Sequence, residues 1–261
     1  VVLPSNVENA ILTGDGAVTG NALDNAITGT GGNRIAAGAG NDLVTAGPDL
    51  NFLDGGTGTD TLVLGFRLTD ATVTRDGAAT LITGPGAQNR VSGFERYQFT
   101  DVTVNTADGQ PLVDDLFYLA SNKDVLRAGV DADAHYAAFG WREGRDPSAF
   151  FSTTGYLAAN RDVRIAGVNP LEHYDQSGWK EGRDPSAAFD NELYLARNPD
   201  VRAAGVDPLA HFLAYGQEEE RQAYAAIGKA ADVGAARGFD AEYYLLSNTD
   251  VSAAALVLGA D

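Results

Sequence analysis

The sequence predicts a multidomain β plus α protein: a parallel β-roll wound as a solenoid, a β cap, and then an all-α array of short helices. Three observations carry that expectation. Glycines and side-chain oxygens recur every nine residues between positions 20 and 62. β-forming residues alternate from 65 to 110. A 38-residue unit repeats from position 111 onward.

The nine-residue beat comes first. Gly20, Gly29, Gly38, Gly47 and Gly56 keep it, and so do Asp24, Asn33, Asp42, Asn51 and Asp60. The apolar Ala26, Ile35, Val44, Leu53 and Leu62 run in phase, and Ala22, Gly31, Gly40, Asp49 and Gly58 form a further series. Glycine accepts the positive φ of a tight turn. The triplet around each apolar residue is a minimal strand with one inward side chain. One unit is then half a coil, and two units make a coil with two parallel sheets. Apolar residues phased over five units speak against a glycine-rich flexible linker, which has none.

Stacked coils would place like residues about 4.8 Å apart, the strand spacing. Asp24, Asp42 and Asp60 then form a column on one edge, and Asn33 and Asn51 form one on the other. Carboxylates at that spacing repel one another without a cation, and glycine turns can aim carbonyl oxygens inward. A set of hard oxygens favours calcium, which takes 6–8 of them in flexible geometry. The candidate ligands are Asp24, Asp42 and Asp60 with the backbone of Gly38, Gly40, Gly56 and Gly58, and Asn33, Asp49 and Asn51.

With these residues in place, the region resembles the RTX (hemolysin-type) calcium-binding repeats, whose unit is G-G-x-G-x-D-x-U-x. "GAGNDLV" and "GGTGTDTL" match best, whereas "GNALDNAI", "GTGGNRIA" and "GPDLNFLD" depart from the unit. The first glycine survives only at Gly55, with Thr28, Ala37 and Ala46 elsewhere, and asparagine replaces the acid twice. The Asp column is therefore expected to bind calcium, and the Asn column to bind it weakly or not at all. About two sites are expected, with affinity on the order of 10⁻⁴–10⁻³ M. The resemblance further implies type I secretion.

The roll is placed at 12–64 and the cap at 65–110. In the cap, "ATVTRDGAATLITG" reads as a hairpin around Asp76-Gly77 and "NRVSGFERYQFTDVTVN" as a second strand pair. Such strands would cover the open sheet edges of a coil. Phe94-Glu95-Arg96, Phe99 and Asp101 are similar to a segment that commonly follows RTX repeats.

Helical copies follow at about 111–148, 149–186 and 187–224, with a partial one at 237–261. Tyr118, Tyr156 and Tyr194 share one position in the unit, Asp124, Asp162 and Asp200 a second, and His135, His173 and His211 a third. Asp190 or Asp240 reads as an N-cap. Asn169-Pro170 and Asp207-Pro208 read as N-cap plus proline at N1, with Glu172 completing a capping box. This unit is similar to a bacterial module associated with RTX-containing and other surface or polysaccharide-related proteins. That likeness implies a location and no activity.

The bulk numbers narrow the function. Net charge is −18, which argues against nucleic acid and anionic membranes as partners and suits cations. Cysteine is absent, so disulfides and thiolate zinc sites are excluded. No apolar run reaches membrane-spanning length, so no membrane insertion is expected. The chain opens "VVLPSN" without methionine and is read as a piece of a longer protein.

No H-E-x-x-H, G-x-S-x-G or P-loop occurs, and no catalytic residue is assigned. The histidines read as packed side chains, Arg145, Arg183 and Arg221 as partners of Asp124, Asp162 and Asp200, and Trp141 and Trp179 as packing at repeat junctions. The expected function is a non-catalytic calcium-binding region of a secreted bacterial protein. It would fold on calcium outside the cell and present a helical array to a cell-surface protein or polysaccharide, in an adhesion or surface-layer role. A secretion and folding tail of a secreted enzyme such as a protease is one alternative, and a calcium-dependent glycan-binding module is another.

Overall fold

Aliphatic side chains between turn glycines make strands here, most of which bury one to three residues. A computed structural model describes residues 1–76, 79–108, 110–217, 219, 221–226 and 241–258. They divide into two units. The first is Val1–Gly109 with Asp115–Gly129, and the second is Gln110–Asp114 with Val130–Asp261.

The first unit holds two six-stranded sheets. In chain order the strands are β1 (Asn9–Leu12), β2 (Gly16–Thr19), β3 (Ala26–Gly29), β4 (Asn33–Ala39), β5 (Leu43–Thr45), β6 (Asp49–Thr57) and β7 (Thr61–Val63). They continue as β8 (Thr72–Asp76), β9 (Ala79–Gly84), β10 (Ala87–Ser92), β11 (Arg96–Gln98) and β12 (Thr103–Asn105). One sheet runs β1-β3-β5-β7-β11-β12, the other β2-β4-β6-β10-β9-β8. The pairs β1–β3, β3–β5, β5–β7, β2–β4 and β4–β6 are parallel. So are β6–β10 and β7–β11, while β10–β9, β9–β8 and β11–β12 are antiparallel.

Ile35 pairs with Leu53 and Val44 with Leu62, each eighteen residues on. Val18 pairs with Ile35 and Ile27 with Val44, only seventeen on. The stretch from Ile27 to Ile35 is thus one residue short of the beat. Ile27, fully buried, takes the inward place assigned to Ala26, which is half-buried. The larger aliphatic side chain removes more apolar surface from water and sets the local phase. Val18, Ile35, Leu53 and Val91 of one sheet, and Ile27, Val44, Leu62 and Tyr97 of the other, are all buried.

The expected fold class needs correction. A parallel β-roll with a separate β cap, followed by an all-α array, does not describe the molecule. The two six-stranded sheets are mixed, not closed on themselves, and combine with helices in a mixed α/β fold. The physical reason lies in residues 65–110. Their strands satisfy the open backbone edges by joining both sheets, β10 along β6 and β11 along β7. The Asp76-Gly77 turn includes Gly77, which lies outside the described residues; its flanking strands β8 and β9 pair as expected of a hairpin.

Helices also enter the first unit. α1 (Asp115–Ser121) and α2 (Lys123–Ala128), from the first 38-residue copy, belong to it. The Lys123 ammonium donates to the carbonyls of Leu68 (2.6 Å) and Ala71 (2.8 Å), around the 3₁₀ turn Leu68–Asp70. The Asp101 carboxylate accepts from the Leu68 amide at 2.7 Å, at the start of that turn.

The second unit repeats one plan. α3 (Ala132–His135) runs into a π turn at Tyr136–Gly140. α4 (Thr153–Ala159), α5 (Arg161–Ala166) and α6 (Pro170–Gln176) follow, with a 3₁₀ turn at Gly178–Glu181. Next come α7 (Asn191–Arg197), α8 (Pro199–Ala204) and α9 (Pro208–His211), with a π turn at Phe212–Gly216. α10 (Ala241–Ser247) and α11 (Thr249–Leu258) belong to the partial copy. Asp190 caps α7 through the Leu193 amide, Asn169 caps α6 and Asp207 caps α9. The proposed cap Asp240 lies outside the described residues.

Candidate metal centre

The glycine turns bring backbone into contact that no side chain could separate. A Cβ on Gly56 would stand 1.9 Å from the Gly38 carbonyl oxygen, and one on Gly58 would stand 1.8 Å from that of Gly40. Gly38, Gly40, Gly56 and Gly58 all have φ between 97° and 140°, which other residues resist. Asp49, in the same series, adopts φ 71°.

This close stacking builds a side-chain ladder. The Asn25 amide donates to Asp42 Oδ1 at 2.7 Å, and the Asp42 amide donates to Asp60 Oδ1 at 2.7 Å. Asp42 and Asp60 are almost completely buried. Each spends one oxygen on the ladder, and the second, Oδ2, is buried with no hydrogen-bond partner. Burial pushes both carboxyls above the usual range, and each also feels the charge of neighbouring carboxylates: Asp60 and Asp24 at Asp42, Asp54 and Asp24 at Asp60. Backbone donation acts the other way without cancelling the rise.

Asp24 lies elsewhere. The one-residue shortening puts Asn25 in the buried place above Asp42, and Asp24 is exposed, accepting from the Asn41 amide at 2.7 Å. Asn25 closes on itself: its Nδ2 donates to Val7 and Asn21 oxygens, and its Oδ1 accepts from the Asn21 amide. The sequence offered two adjacent polar residues and no apolar marker to choose between them.

The other edge carries amides. The Asn33 amide donates to Asn51 Oδ1 at 3.0 Å. Asn51 Nδ2 donates to the Gly47 carbonyl at 2.9 Å and to Asn89 Oδ1 at 3.0 Å, and Asn33 Nδ2 donates to the Gly14 carbonyl at 2.9 Å. Asn33 Oδ1 has no partner, but it is uncharged. The side chain of Asp49 is exposed. Asn89, fully buried on β10, extends this ladder from outside the nine-residue beat, so spacing could not reveal it.

The edges differ in one atom type. An Asn Nδ2 gives a donor to the facing carbonyls; an Asp Oδ2 gives a second acceptor. The buried unpartnered oxygens of Asp42 and Asp60 are thus what a hard cation would satisfy, and the donor set is oxygen alone.

Among the described residues of the second unit, Asp184, Asp190 and Glu192 can bring one oxygen each within 4.8 Å of one another. Two of these carboxylates already serve as structural acceptors, Asp184 for the Asn191 amide and Asp190 for the Leu193 amide.

The histidines are packing partners. Tyr156 Oη and His173 Nδ1 lie 2.9 Å apart, and Tyr194 Oη and His211 Nδ1 3.0 Å apart. Arg183 grips Asp162 with two bonds of 2.7 and 2.8 Å, and Arg221 grips Asp200 with bonds of 2.9 and 2.7 Å. Trp141 and Trp179 are half-buried under Arg142 and Lys180.

No family model and no curated protein matches the chain. Among solved structures, part of it is similar to the extracellular lipase LipA from Serratia marcescens. That match has 20% identity and a TM-score of 0.29, and it covers 33% of this chain and 14% of the lipase. Among the described residues, no helix is long and apolar enough to cross a membrane.

Proposed function

We propose that this chain is a non-catalytic, calcium-binding region of a secreted RTX-type bacterial protein. Calcium completes the Asp42–Asp60 edge of its two-sheet unit, and its helical repeats are offered to a partner at the cell surface. One observation carries the reading: two buried carboxylate oxygens, one on each of two successive turns, have no hydrogen-bond partner. Asp42 and Asp60 would hold the ion, with backbone oxygens of the glycine turns as further donors. Bound calcium supplies positive charge to these oxygens and no chemistry. Its binding free energy then adds to folding free energy, because the unfolded chain does not assemble the edge.

Calcium titration by isothermal calorimetry, with far-UV circular dichroism recorded in parallel, tests the reading. The unmodified chain is expected to bind calcium and gain β signal, and the double variant Asp42→Asn, Asp60→Asn to do neither. Equal responses from both chains would refute the assignment.

A further inference from the structure

We infer that Glu95, which lies outside the glycine repeats, supplies the third carboxylate of the metal edge and closes a terminal cation position with Asp60 and the Gly93 carbonyl. The inference rests on the calcium reading above and names how that edge ends.

The ladder shows where Glu95 stands. Asp60 donates its backbone N–H to Glu95 Oε2 at 2.6 Å. Asp42 makes the same bond to Asp60, and Asn25 makes it to Asp42. Glu95 therefore occupies the next rung, although it follows Asp60 by 35 residues instead of eighteen. Its backbone is fixed there as well: the amides of Glu95 and Arg96 both donate to the Asp60 carbonyl, at 3.3 and 3.1 Å.

Gly93 plays the part of a turn glycine, with φ 63°. Its carbonyl oxygen and Asp60 Oδ2 both crowd the point where a Gly55 Cβ would stand, at 1.8 and 2.9 Å. This accounts for the survival of the unit's first glycine at Gly55. A backbone oxygen and a fully buried, unpartnered carboxylate oxygen converge beside a further carboxylate. That unpartnered oxygen, not the acidic cluster, is what points to a ligand. At the opposite end Asn25 satisfies its own amide, so the carboxylate run begins at Asp42 and ends at Glu95.

A purely structural Glu95 would act only as an acceptor for the Asp60 amide, and Glu95→Gln keeps an acceptor oxygen. The variant therefore separates the two roles. In calorimetric titration of the full chain with calcium chloride, Glu95→Gln is expected to lower affinity at least about tenfold or to remove one ion, since ligand charge tunes oxygen sites on that scale. Asp60→Asn is expected to do the same, and the two changes together are expected to cost little more than either. In chelator, Glu95→Gln should keep the far-UV spectrum of the unmodified chain.

Wild-type affinity and stoichiometry in Glu95→Gln would overturn the inference and leave the Asp42–Asp60 reading standing. Loss of the chelator spectrum would overturn it too, because the charge would then serve folding without a metal. An unmodified chain that takes up no calcium would overturn both.

Discussion

Asp162 and Asp200 of the helical repeats each meet a guanidinium, whereas Asp42 and Asp60 of the two-sheet unit meet no cationic side chain among the described residues. The Arg183 pairing holds the Asp162 carboxyl down at about 2, and the Arg221 pairing holds that of Asp200 well below the usual range. Burial pushes Asp42 and Asp60 the other way. At this repeat position the helical unit supplies an arginine, and the two-sheet unit supplies no side-chain counter-charge to Asp42 and Asp60 among the described residues. On the calcium reading proposed above, the choice of partner for one residue per repeat would make one part of the chain self-sufficient and the other conditional.

The sharpest way to probe the conditional side is Gly56→Ala. A Cβ there meets the Gly38 carbonyl on a backbone with positive φ, and the cost is more than about 2 kcal/mol. Both tryptophans, Trp141 and Trp179, lie in the helical unit, so their fluorescence reports that unit by itself. The β-sheet dichroism should collapse at lower temperature in this variant, and the tryptophan transition should move less.

Next in size is a test of the paired side. Asp207 caps α9, but burial pushes it up to about 7. The preceding copy has Asn169 at this position. A carboxyl raised above its unfolded value contributes stability below that value and loses it as pH rises through the folded one. Asp207→Asn should therefore stabilise the helical unit in mildly alkaline buffer, by on the order of 2 kcal/mol, and leave it little changed in mild acid. Asp146, raised to about 6 by burial, gives the unmodified helical unit a slope of the same sign. In chelator the two-sheet unit should also gain stability as pH falls toward the ordinary carboxylate value, because Asp42 and Asp60 are raised too. The Asp162 contribution has the opposite sign and is lost only as pH falls through about 2. Melting curves across pH, read by tryptophan and by dichroism, check these signs.

Smaller again is Tyr194→Phe, which removes the bond to His211 and should cost the helical unit about 1 kcal/mol by tryptophan-detected melting. The smallest effect is expected for Asp162→Asn. Asp162 is largely exposed, so solvent screening holds the loss below about 1 kcal/mol despite the two-bond geometry, and Arg183 keeps its bonds to Asn160 and Glu181.

Much of the candidate site could be read from spacing. The positive-φ glycines 38, 40, 56 and 58, and the buried Asp42 and Asp60, all lie on the nine-residue beat. What escaped was fixed by packing. The core preferred Ile27 to Ala26, which shifted the ladder from Asp24 to Asn25. Asn89 and Glu95 reach the ladders from strands and turns with no period of their own. The fold class failed for a related reason: alternation over 65–110 announces strands, but not that they extend both sheets. In the helices, caps at Asn169, Asp190 and Asp207 followed from local chemistry, whereas the tyrosine partners of His173 and His211 are seventeen residues away.

The central claim is that Asp42 and Asp60 make the two-sheet unit depend on a divalent ion. Thermal unfolding of the unmodified chain and of Asp42→Asn, Asp60→Asn, each in chelator and in millimolar calcium, tests it most directly. The account predicts that calcium raises the β-sheet transition of the unmodified chain alone, and that in chelator the double variant is the more stable, its amides pairing as Asn51 does. A chelator-insensitive unmodified chain, or equal calcium shifts in both, would contradict it.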